Sequence, residues 1–532
     1  MSNVFSGVPH SAALRSVLLS GTALAGATLF GIACPTPASA DQQFLKHGSL
    51  VISSSTYDNT KGDVAKLVAG TPQQPGTPLP NTKSATIPAV AGNDYVNVWN
   101  NESVDASFGV TSSIQLTDID LSNYKIFRSI QVPTDQVVTS FSSKSELGLH
   151  VRNNWPSVSV VFMGYGSAAQ AVGHGTPPAV GIGKLDVSNS DAVQGQDTTN
   201  PVTFAFGSDY AFRRTIVAVD EKGNLTYTPT NNYGGNNGRS ALLGSNGLYY
   251  TVGNANNGDA ATFGASNGTN PDVTETTGLE VVYPSVSSVL DDKVPSARSA
   301  EVDPLIQYPL GKNGALDKAG EDNNYRGVTE FGSALYFTKG SGSNGMDTVY
   351  TVSLPTFDNA ASLTITPVKG FPTDSARATG GNFTPFAVFF ANPTTMYVSD
   401  EGSGSTTDKT LHAGLQKWTR ASDGTWSLQY VLTNGLIGGV DNVTGFDGPW
   451  PEITTVGLRN LTGRINGDGT VTLWATTATS SVSVDNGADP NKVVEITDQI
   501  AATQLSQVGN ESFRTVAGPI YGTVFRGVGF VE

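Results

Sequence analysis

The chain has 532 residues, of which 38% are hydrophobic and 14% are charged. That balance is too apolar for a disordered chain and too polar for a membrane protein. Its 45 acidic residues outnumber 30 basic ones, and the formal net charge of −15 repels phosphate backbones and anionic lipids, so we expect no nucleic-acid partner.

The N-terminal segment has the features of an export signal. Arg15 precedes an apolar run of small residues, and Ala38-Ser39-Ala40 supplies a small-x-small cleavage site. The alternative is a membrane anchor, but the run is rich in Gly and Ala and short for a span of about 20 apolar residues. We therefore expect a signal peptide at residues 1–40, a mature domain at residues 41–532, secretion to the extracellular space or periplasm, and no membrane span. Cys34, the only cysteine, would leave with the signal.

One strand pattern then recurs along the chain. Each unit contains a short strand of β-branched and aromatic residues followed by small polar residues. These second strands of the units lie at residues 50–53, 160–163, 248–251, 335–338, 396–399 and 471–474. Matching third strands lie at residues 113–118, 215–220, 278–283, 348–354, 414–419 and 492–497. Several run on through a tight hairpin, as at Asp423-Gly424, into a fourth strand.

Four antiparallel strands per unit, repeated at least six times, predict an all-β fold: a single closed β-propeller with six or seven four-stranded blades. A pair of β-sandwich domains would explain the strands but not the repeat. A seventh unit would have to lie within residues 58–110 or 285–311. Residues 525–530 resemble the first strand at residues 325–331, yet no second strand follows them. We therefore expect the C-terminal strand to complete the N-terminal blade, which removes exposed sheet edges.

Basic residues recur where the innermost strands leave the face that carries the long loops, and long ordered loops usually carry function. These residues are Lys144, Arg239, Arg326, Arg459 and Arg526. Cations that face one axis repel one another unless an anion, carboxylates or water offsets them. We predict either a substrate-binding ring for an acidic glycan or another anionic ligand, or a set of clasps in which each cation pairs with a nearby carboxylate such as Asp400 or Glu511.

Other candidates share this face. Asn237 and Asn324 lie shortly before two of the arginines and are predicted to bind substrate. Aromatic loop residues that can stack on sugar rings, or simply pin the loops, are Trp99, Tyr233, Phe446 and Trp450. By location, His412 is the best general-base candidate, although a lone histidine is more often structural. Tyr325, beside an arginine, is the second catalytic candidate.

Several familiar signals are missing. The sequence contains no Gly-x-Ser-x-Gly elbow, no His-Glu-x-x-His, no Walker loop and no dinucleotide fingerprint. Asp322-Asn323-Asn324 offers oxygen ligands of the kind that calcium takes, but EF-hand spacing is absent. We expect a monomer with no cofactor and no metal, and calcium stays open as an alternative.

Five short motifs carry a family resemblance. They are residues 142–147, 235–239, 457–464, 488–492 and 526–528. In these motifs the chain resembles a family of secreted bacterial and fungal β-propeller-like proteins, over most of the mature domain. The resemblance implies secretion and a shared β fold but no reaction. A looser analogy, at the level of fold alone, links arginine-lined propellers to polysaccharide lyases that act on uronic acids.

The sequence therefore supports two hypotheses about function. In the first, the protein is a lyase-like enzyme on an acidic extracellular polysaccharide: arginines neutralise the uronate carboxylate, and His412 or Tyr325 removes the C5 proton. In the second, the protein uses the same face to bind a glycan or a protein without catalysis. The sequence alone does not separate the two.

Overall fold

The computed structural model describes residues 43–56, 100–101, 105–109, 111–140, 143–154, 157–167, 170–171, 210–211, 213–233, 237–253, 278–285, 287–290, 294, 296–303, 324–340, 345–373, 383–404, 412–443, 453–481, 489–520 and 522–532. All of them belong to one compact unit, Ala38–Glu532. Within these ranges the regular structure is β-strand, apart from two one-turn 3₁₀ helices, Ala360–Ser362 and Leu505–Gln507. No helix in the described part of the chain has the length and apolarity needed to cross a membrane.

The described part of the chain contains thirty strands. The first twelve are β1 (Ser49–Thr56), β2 (Asn100–Asn101), β3 (Asp105–Gly109), β4 (Thr111–Asp120), β5 (Lys125–Gln131), β6 (Val137–Ser140), β7 (His150–Arg152), β8 (Ser159–Gly166), β9 (Gln170–Ala171), β10 (Tyr210–Ala211), β11 (Arg214–Asp220) and β12 (Leu225–Thr230). The next twelve are β13 (Gly238–Leu243), β14 (Tyr249–Gly253), β15 (Leu279–Val282), β16 (Ser299–Glu301), β17 (Val328–Phe331), β18 (Ala334–Lys339), β19 (Thr348–Ser353), β20 (Thr366–Pro367), β21 (Pro385–Asn392), β22 (Thr395–Asp400), β23 (Gly414–Arg420) and β24 (Trp426–Leu432). The last six are β25 (Val440–Asp441), β26 (Ile453–Ile465), β27 (Thr470–Ser481), β28 (Val493–Gln499), β29 (Arg514–Ala517) and β30 (Thr523–Val531).

Four small antiparallel sheets succeed one another in a β-propeller arrangement. Their strand orders are β13-β14-β15-β16, β17-β18-β19-β20, β21-β22-β23-β24 and β25-β26-β27-β28-β29. Neighbours in each sheet are also neighbours in sequence, as expected for repeated meanders. Two short ribbons, β2–β3 and β9–β10, lie outside these sheets.

A nine-stranded sheet contains both ends of the described chain. Its path is β12-β11-β8-β6-β4-β1-β30, with β5 added to β4 and β7 added to β8. In it β30 pairs antiparallel with β1, so that Leu50 lies opposite Phe530 and Ile52 opposite Val528. The pairing predicted between residues 525–530 and residues 50–53 is therefore present.

Hydrophobic clusters lie between successive sheets rather than inside them. Leu242 and Tyr250 of one sheet pack with Phe337 of the next. The same arrangement recurs from sheet to sheet, and Trp474 of β27 joins a cluster with Phe530 of β30, where their rings stack at 5.3 Å. The second strands, such as β1, β8 and β22, are thus buried on both faces, which explains why they are nearly continuous apolar runs.

The predicted all-β class and the predicted second and third strands are confirmed. Most strand ends agree within one or two residues, but β1, β8 and β27 continue to Thr56, Gly166 and Ser481, beyond the predicted ends at residues 53, 163 and 474. Of the two stretches considered for a seventh unit, residues 57–99 lie outside the described part. In the other stretch, β16 forms the edge of the β13–β16 sheet. Strand composition and turn residues are local signals, and here the tertiary packing agrees with them.

The contact of β30 with the segment before β7 gives a first prediction. A Cβ atom at Gly527 would lie 2.4 Å from Leu149 Cβ and 2.5 Å from the Leu147 carbonyl oxygen, so Gly527→Ala must displace backbone. We expect a loss of about 1–3 kcal/mol in the free energy of unfolding, measured by urea titration. Gly467→Ala, which adds a Cβ with nothing within 4 Å, is the matched control and should change little. Equal stability of the two variants would contradict this packing.

Candidate functional site

Three cationic side chains from separate parts of the fold converge on one carboxylate. Glu401, directly after β22, accepts a hydrogen bond from Arg326 Nη1 on Oε1, and Lys144 Nζ lies 3.3 Å from the same oxygen. Arg459 Nε, from β26, lies 3.4 Å from Oε2. These four residues are named the Glu401 cluster. Arg459, Arg326 and Lys144 lie 58, 75 and 257 positions from Glu401 in sequence. The cluster therefore links segments that are far apart along the chain.

Backbone contacts fix the position of Glu401. Its amide donates to the Thr384 carbonyl, and Gly402, with φ +73, turns the chain immediately after it. At Gly457 in β26, a Cβ atom would lie 2.4 Å from the backbone carbonyl of Glu401. Only glycine lets β26 pass this close, and the cluster arginine follows two residues later.

The cations keep Glu401 ionised. Burial alone would raise the pKa of Glu401, but the charges of Arg326, Lys144 and Arg459 outweigh it and hold the pKa well below its usual range. Conversely, Glu401 alone would raise the pKa of Lys144, but burial and the two arginine charges lower it to about 8. Burial also lowers the pKa of Arg459. In the Glu401 cluster the three cations therefore repel one another while each is attracted to Glu401.

A second layer of charge surrounds the cluster. Lys339 Nζ, fully buried, lies 3.5 Å from Asp347 Oδ1. Asp347 attracts Arg326, and Asp489 attracts Arg459. Burial raises the pKa of Asp347, while Lys339 and Arg326 oppose this change. Across both layers four cations face three carboxylates, so positive charge is in excess among these seven groups.

The Glu401 cluster opens on a cavity of about 210 Å³. Its lining includes Lys144, Thr384, Glu401, Gly402, Arg459 and Thr479. Exposure differs sharply among the cations: 38% of the Lys144 side chain is exposed, against 1% for Arg326 and 3% for Arg459. An incoming anion would therefore meet Lys144 first, with Arg459 behind it, and these donors suit carboxylate oxygens.

The predicted ring of five cations divides in the structure. Arg239 Nη1 donates to Asn324 Oδ1 and, at 3.2 Å, to the Tyr325 carbonyl oxygen. Arg526 Nε donates to Ser55 Oγ at 3.2 Å, in the paired β1 and β30 strands. These two buried arginines bind an amide oxygen, a backbone carbonyl and a hydroxyl group of neighbouring segments, whereas the clasp interpretation predicted carboxylate partners.

Both predicted substrate-binding asparagines are engaged inside the protein. Asn237 Nδ2 donates to Glu146 Oε1 at 2.6 Å and to Ser143 Oγ at 2.8 Å. Asn324 accepts from the arginine just described and is buried. Tyr233 is also buried, and its hydroxyl donates to the Gly278 carbonyl oxygen at 3.1 Å, so it pins the chain rather than offering a sugar platform. Trp99, Phe446 and Trp450 lie outside the described residues.

The catalytic prediction for Tyr325 is wrong on burial. Its side chain is fully buried, and its ring packs edge-on against Phe337 at 4.7 Å and beside Tyr350 at 5.6 Å. A polymer cannot reach a phenol in this core. His412 keeps partial exposure, and among the described residues its buried Nδ1 has no hydrogen-bond partner. It attracts the neighbouring Asp400 but is not among the residues that line the cavity.

Sequence reasoning missed Glu401. It named Asp400 and Glu511 as candidate partners of the arginines, but Asp400 Oδ2 accepts from Thr384 N and Gln416 Nε2 instead. The available signal was positional: Glu401 immediately follows the second strand of its unit, at the face where the cations were expected. Among the described residues, no three His, Cys, Asp or Glu side chains gather in an arrangement suited to a metal ion.

Comparison with known proteins gives limited information. No protein-family model and no curated protein sequence match the chain. Among solved structures, it is similar to a chain in the S. cerevisiae complex of Dbp5, Nup159, Gle1, IP6 and ADP, with a TM-score of 0.28, 8% identity, and coverage of 88% of this chain and 82% of that one. It is also similar to a GH43_1 enzyme from Xanthomonas citri, with a TM-score of 0.24, 9% identity, and coverage of 59% and 87%. With TM-scores this far below 0.5, neither likeness carries an argument about this chain.

The electrostatics of Glu401 give a second prediction. Glu401→Gln keeps the shape but leaves two buried arginines without their shared carboxylate, and should cost about 3–5 kcal/mol near neutral pH. Because folding lowers the pKa of Glu401, its contribution is present above the ordinary value of 4.5 and is lost as the pH falls. The deficit of the variant, measured by chemical denaturation, should therefore shrink in acid.

Asp423→Asn is the control for this experiment. Asp423 pairs with Lys369 on the surface, where both side chains are more than 60% exposed, and water screens such a pair. Asp423 also accepts hydrogen bonds from the amide and hydroxyl of Thr425, and the side-chain oxygen of Asn can keep one of them, so the denaturation midpoint should change far less than in Glu401→Gln. A stability deficit in Glu401→Gln that does not vary with pH would contradict the assigned charge state.

Proposed function

We propose that this protein is a secreted β-propeller that binds an acidic extracellular glycan, or a closely related carboxylate ligand, at the Glu401 cluster. The observation that carries the proposal is the exposed Lys144 at a cavity of about 210 Å³, backed by two buried arginines that share one carboxylate. Those charges lower the pKa of Lys144, and a bound carboxylate would relieve their repulsion. An anion is the ligand that this electrostatic imbalance favours.

Within this proposal the cations have different tasks. Arg326 is almost fully buried and stacks over Phe386 at 5.1 Å, so it sets the local potential and holds the sheets together. Lys144 and Arg459 line the cavity and would contact the ligand. A sugar carboxylate has two oxygens, which matches two separate donors.

We further infer that six sheets close into one ring. The nine-stranded sheet can be divided at β6 into two four-stranded groups, β30-β1-β4-β5 and β7-β8-β11-β12, each with the strand order of the smaller sheets. Hydrophobic clusters join the first group to the second and the last small sheet to the first group. In such a ring the Glu401 cluster would lie near the axis, where several blades can contribute one residue each.

Secretion remains part of the proposal. Its support is the pattern of Arg15, the apolar run and Ala38-Ser39-Ala40 in residues 1–40. The net charge of −15 makes the basic cavity a local exception on an acidic chain, which favours selective capture over general adhesion to polyanions. We propose a monomer without a nucleic-acid partner.

A lyase function is the second candidate. The observation in its favour is that Nδ1 of His412 has no hydrogen-bond partner among the described residues, although this atom, like the Tyr325 side chain, is buried. Against it, the tyrosine candidate is buried in the core. Glycan binding without catalysis is the function that the described geometry supports better.

Binding is tested first on Lys144→Ala. We expect affinity for a galacturonic acid oligomer to fall roughly ten- to a hundredfold, because a hydrogen bond to a charged group contributes about 1.5–3 kcal/mol. Binding by the native protein should also weaken as the pH rises above about 8, since Lys144 then loses its proton. Isothermal titration calorimetry, with the neutral galactose oligomer as the matched ligand, measures both effects.

Lys369→Ala is the control variant, because Lys369 is a surface lysine that pairs with Asp423. It should bind the acidic oligomer as the native protein does. If Lys144→Ala binds with native affinity, or if the neutral oligomer binds equally well, the proposed site is wrong.

The lyase candidate has a separate readout. Native protein and His412→Ala are incubated with polygalacturonate and alginate, and the absorbance of the unsaturated product is followed. We expect no increase with either protein. An increase with the native protein that His412→Ala abolishes would replace the binding proposal with the catalytic one.

A further inference from the structure

A buried lysine and aspartate meet between the β21–β24 sheet and the β25–β29 sheet. Lys417 Nζ, from β23, lies 2.8 Å from Asp498 Oδ2, from β28, and neither side chain is exposed. A second carboxyl group, Glu511, is near enough to interact electrostatically with Asp498, and its Oε1 accepts a hydrogen bond at 3.3 Å from the backbone amide of Gln499, the residue after Asp498. The hydroxyl groups of Tyr397 and Tyr430 donate to Asp498 Oδ2 and Oδ1, respectively. The side chains of Lys417, Asp498, Glu511, Tyr397 and Tyr430 are named the Lys417 site.

We propose that Lys417 and Asp498 condense to an amide, an intramolecular isopeptide bond that joins the two sheets, with Glu511 as the proton carrier. The arrangement supplies what the reaction needs: an amine in contact with a carboxyl group, a neighbouring carboxylic acid, and the exclusion of bulk water. None of these residues belongs to the Glu401 cluster, and the proposal does not depend on glycan binding.

The atoms balance without any co-reactant. The Lys417 ammonium group passes one proton to Asp498 Oδ2, which gives a neutral amine and a carboxylic acid. The amine nitrogen attacks Asp498 Cγ and forms the new C–N bond. Glu511 carries a second proton from nitrogen to Oδ2, the Cγ–Oδ2 bond breaks, and one water molecule leaves. Oδ1 becomes the amide oxygen, and Glu511 ends as it began.

The surroundings favour each proton transfer. Burial lowers the pKa of Lys417, although Asp498 opposes this, so the neutral amine is easier to reach. Burial and the neighbouring Asp498 raise the pKa of Glu511, which favours the protonated form that a proton carrier needs. Burial and the Asp498 charge also raise the pKa of Tyr430, which keeps its hydroxyl as a donor to Oδ1, the oxygen that gains negative charge during the attack.

The rings of Tyr430 and Tyr397 position the Lys417 side chain. Lys417 Nζ lies 5.1 Å from the centre of the Tyr430 ring and 5.6 Å from that of Tyr397, and it donates to the Tyr430 hydroxyl at 2.9 Å. The partners are 81 residues apart in sequence, so an amide here would close a long loop. Residues 35–532 contain no cysteine, so a disulfide cannot provide such a link.

Mass spectrometry of the native, full mature protein tests the proposal. The intact mass should be lower than the sequence mass by one water molecule. A tryptic digest should yield one branched peptide that contains both Lys417 and Asp498, with fragment ions on both arms. The Lys492–Asp441 ion pair, at 2.6 Å and with side chains 10% and 13% exposed, is the internal control, because no third carboxyl group contacts it among the described interactions. Those two residues should appear in separate, unmodified peptides.

Three variants test the role of each residue in the condensation. Lys417→Arg should show the full sequence mass. Asp498→Asn should lose ammonia instead of water, since an amide side chain has a different leaving group. Glu511→Gln should leave most of the protein uncondensed, although lysine and aspartate remain in contact.

The measurement on the native protein decides the matter even where a variant fails to fold. Full sequence mass after prolonged incubation, or Lys417 and Asp498 in separate peptides, would overturn the proposal. A loss of one water that maps to another residue would overturn it as well.

Discussion

The ionised state of one buried carboxylate, Glu401, underlies the organisation of the candidate site. Two nearly buried arginines and a half-exposed lysine would repel one another strongly without it, because charges in a poorly solvated interior are weakly screened. The same cations keep Glu401 deprotonated, so the cations and the carboxylate stabilise each other's charged form. Glycines at positions 402 and 457 permit the close backbone approach that brings the groups together. The site thus depends on backbone shape as much as on charge.

Packing between sheets is the second constraint. The hydrophobic clusters lie at the interfaces of successive sheets, and the pairing of β1 with β30 links the two ends of the described chain. An open end would expose the apolar faces and hydrogen-bonding edges of terminal strands. The pairing of Ser49 with Val531 instead makes both ends of the described chain part of one sheet, and the neighbouring clusters can then form on either side of it.

Buried charge occurs twice, with different geometry. In the Glu401 cluster several cations share one carboxylate beside a cavity, which leaves positive charge in excess. At the Lys417 site one cation faces two carboxyl groups in a dry interface, and one of these, Glu511, has a raised pKa. The first arrangement favours a ligand of opposite charge. The second favours proton exchange among the groups already present, which is the basis of the cross-link proposed there.

The sequence by itself determined the local features: the class of the fold and the place of each second and third strand. Strand composition and turn glycines act over a few residues, and these local signals were sufficient to locate the strands. Only the tertiary structure decided which groups meet. It chose Glu401 rather than Asp400 as the shared carboxylate, placed Tyr325 in the core, and brought Glu511 to Lys417 instead of to an arginine. The physical reason is that such contacts join residues tens to hundreds of positions apart. Their geometry depends on how whole sheets pack. The alternation of side chains along a strand, with its period of two residues, does not encode that packing.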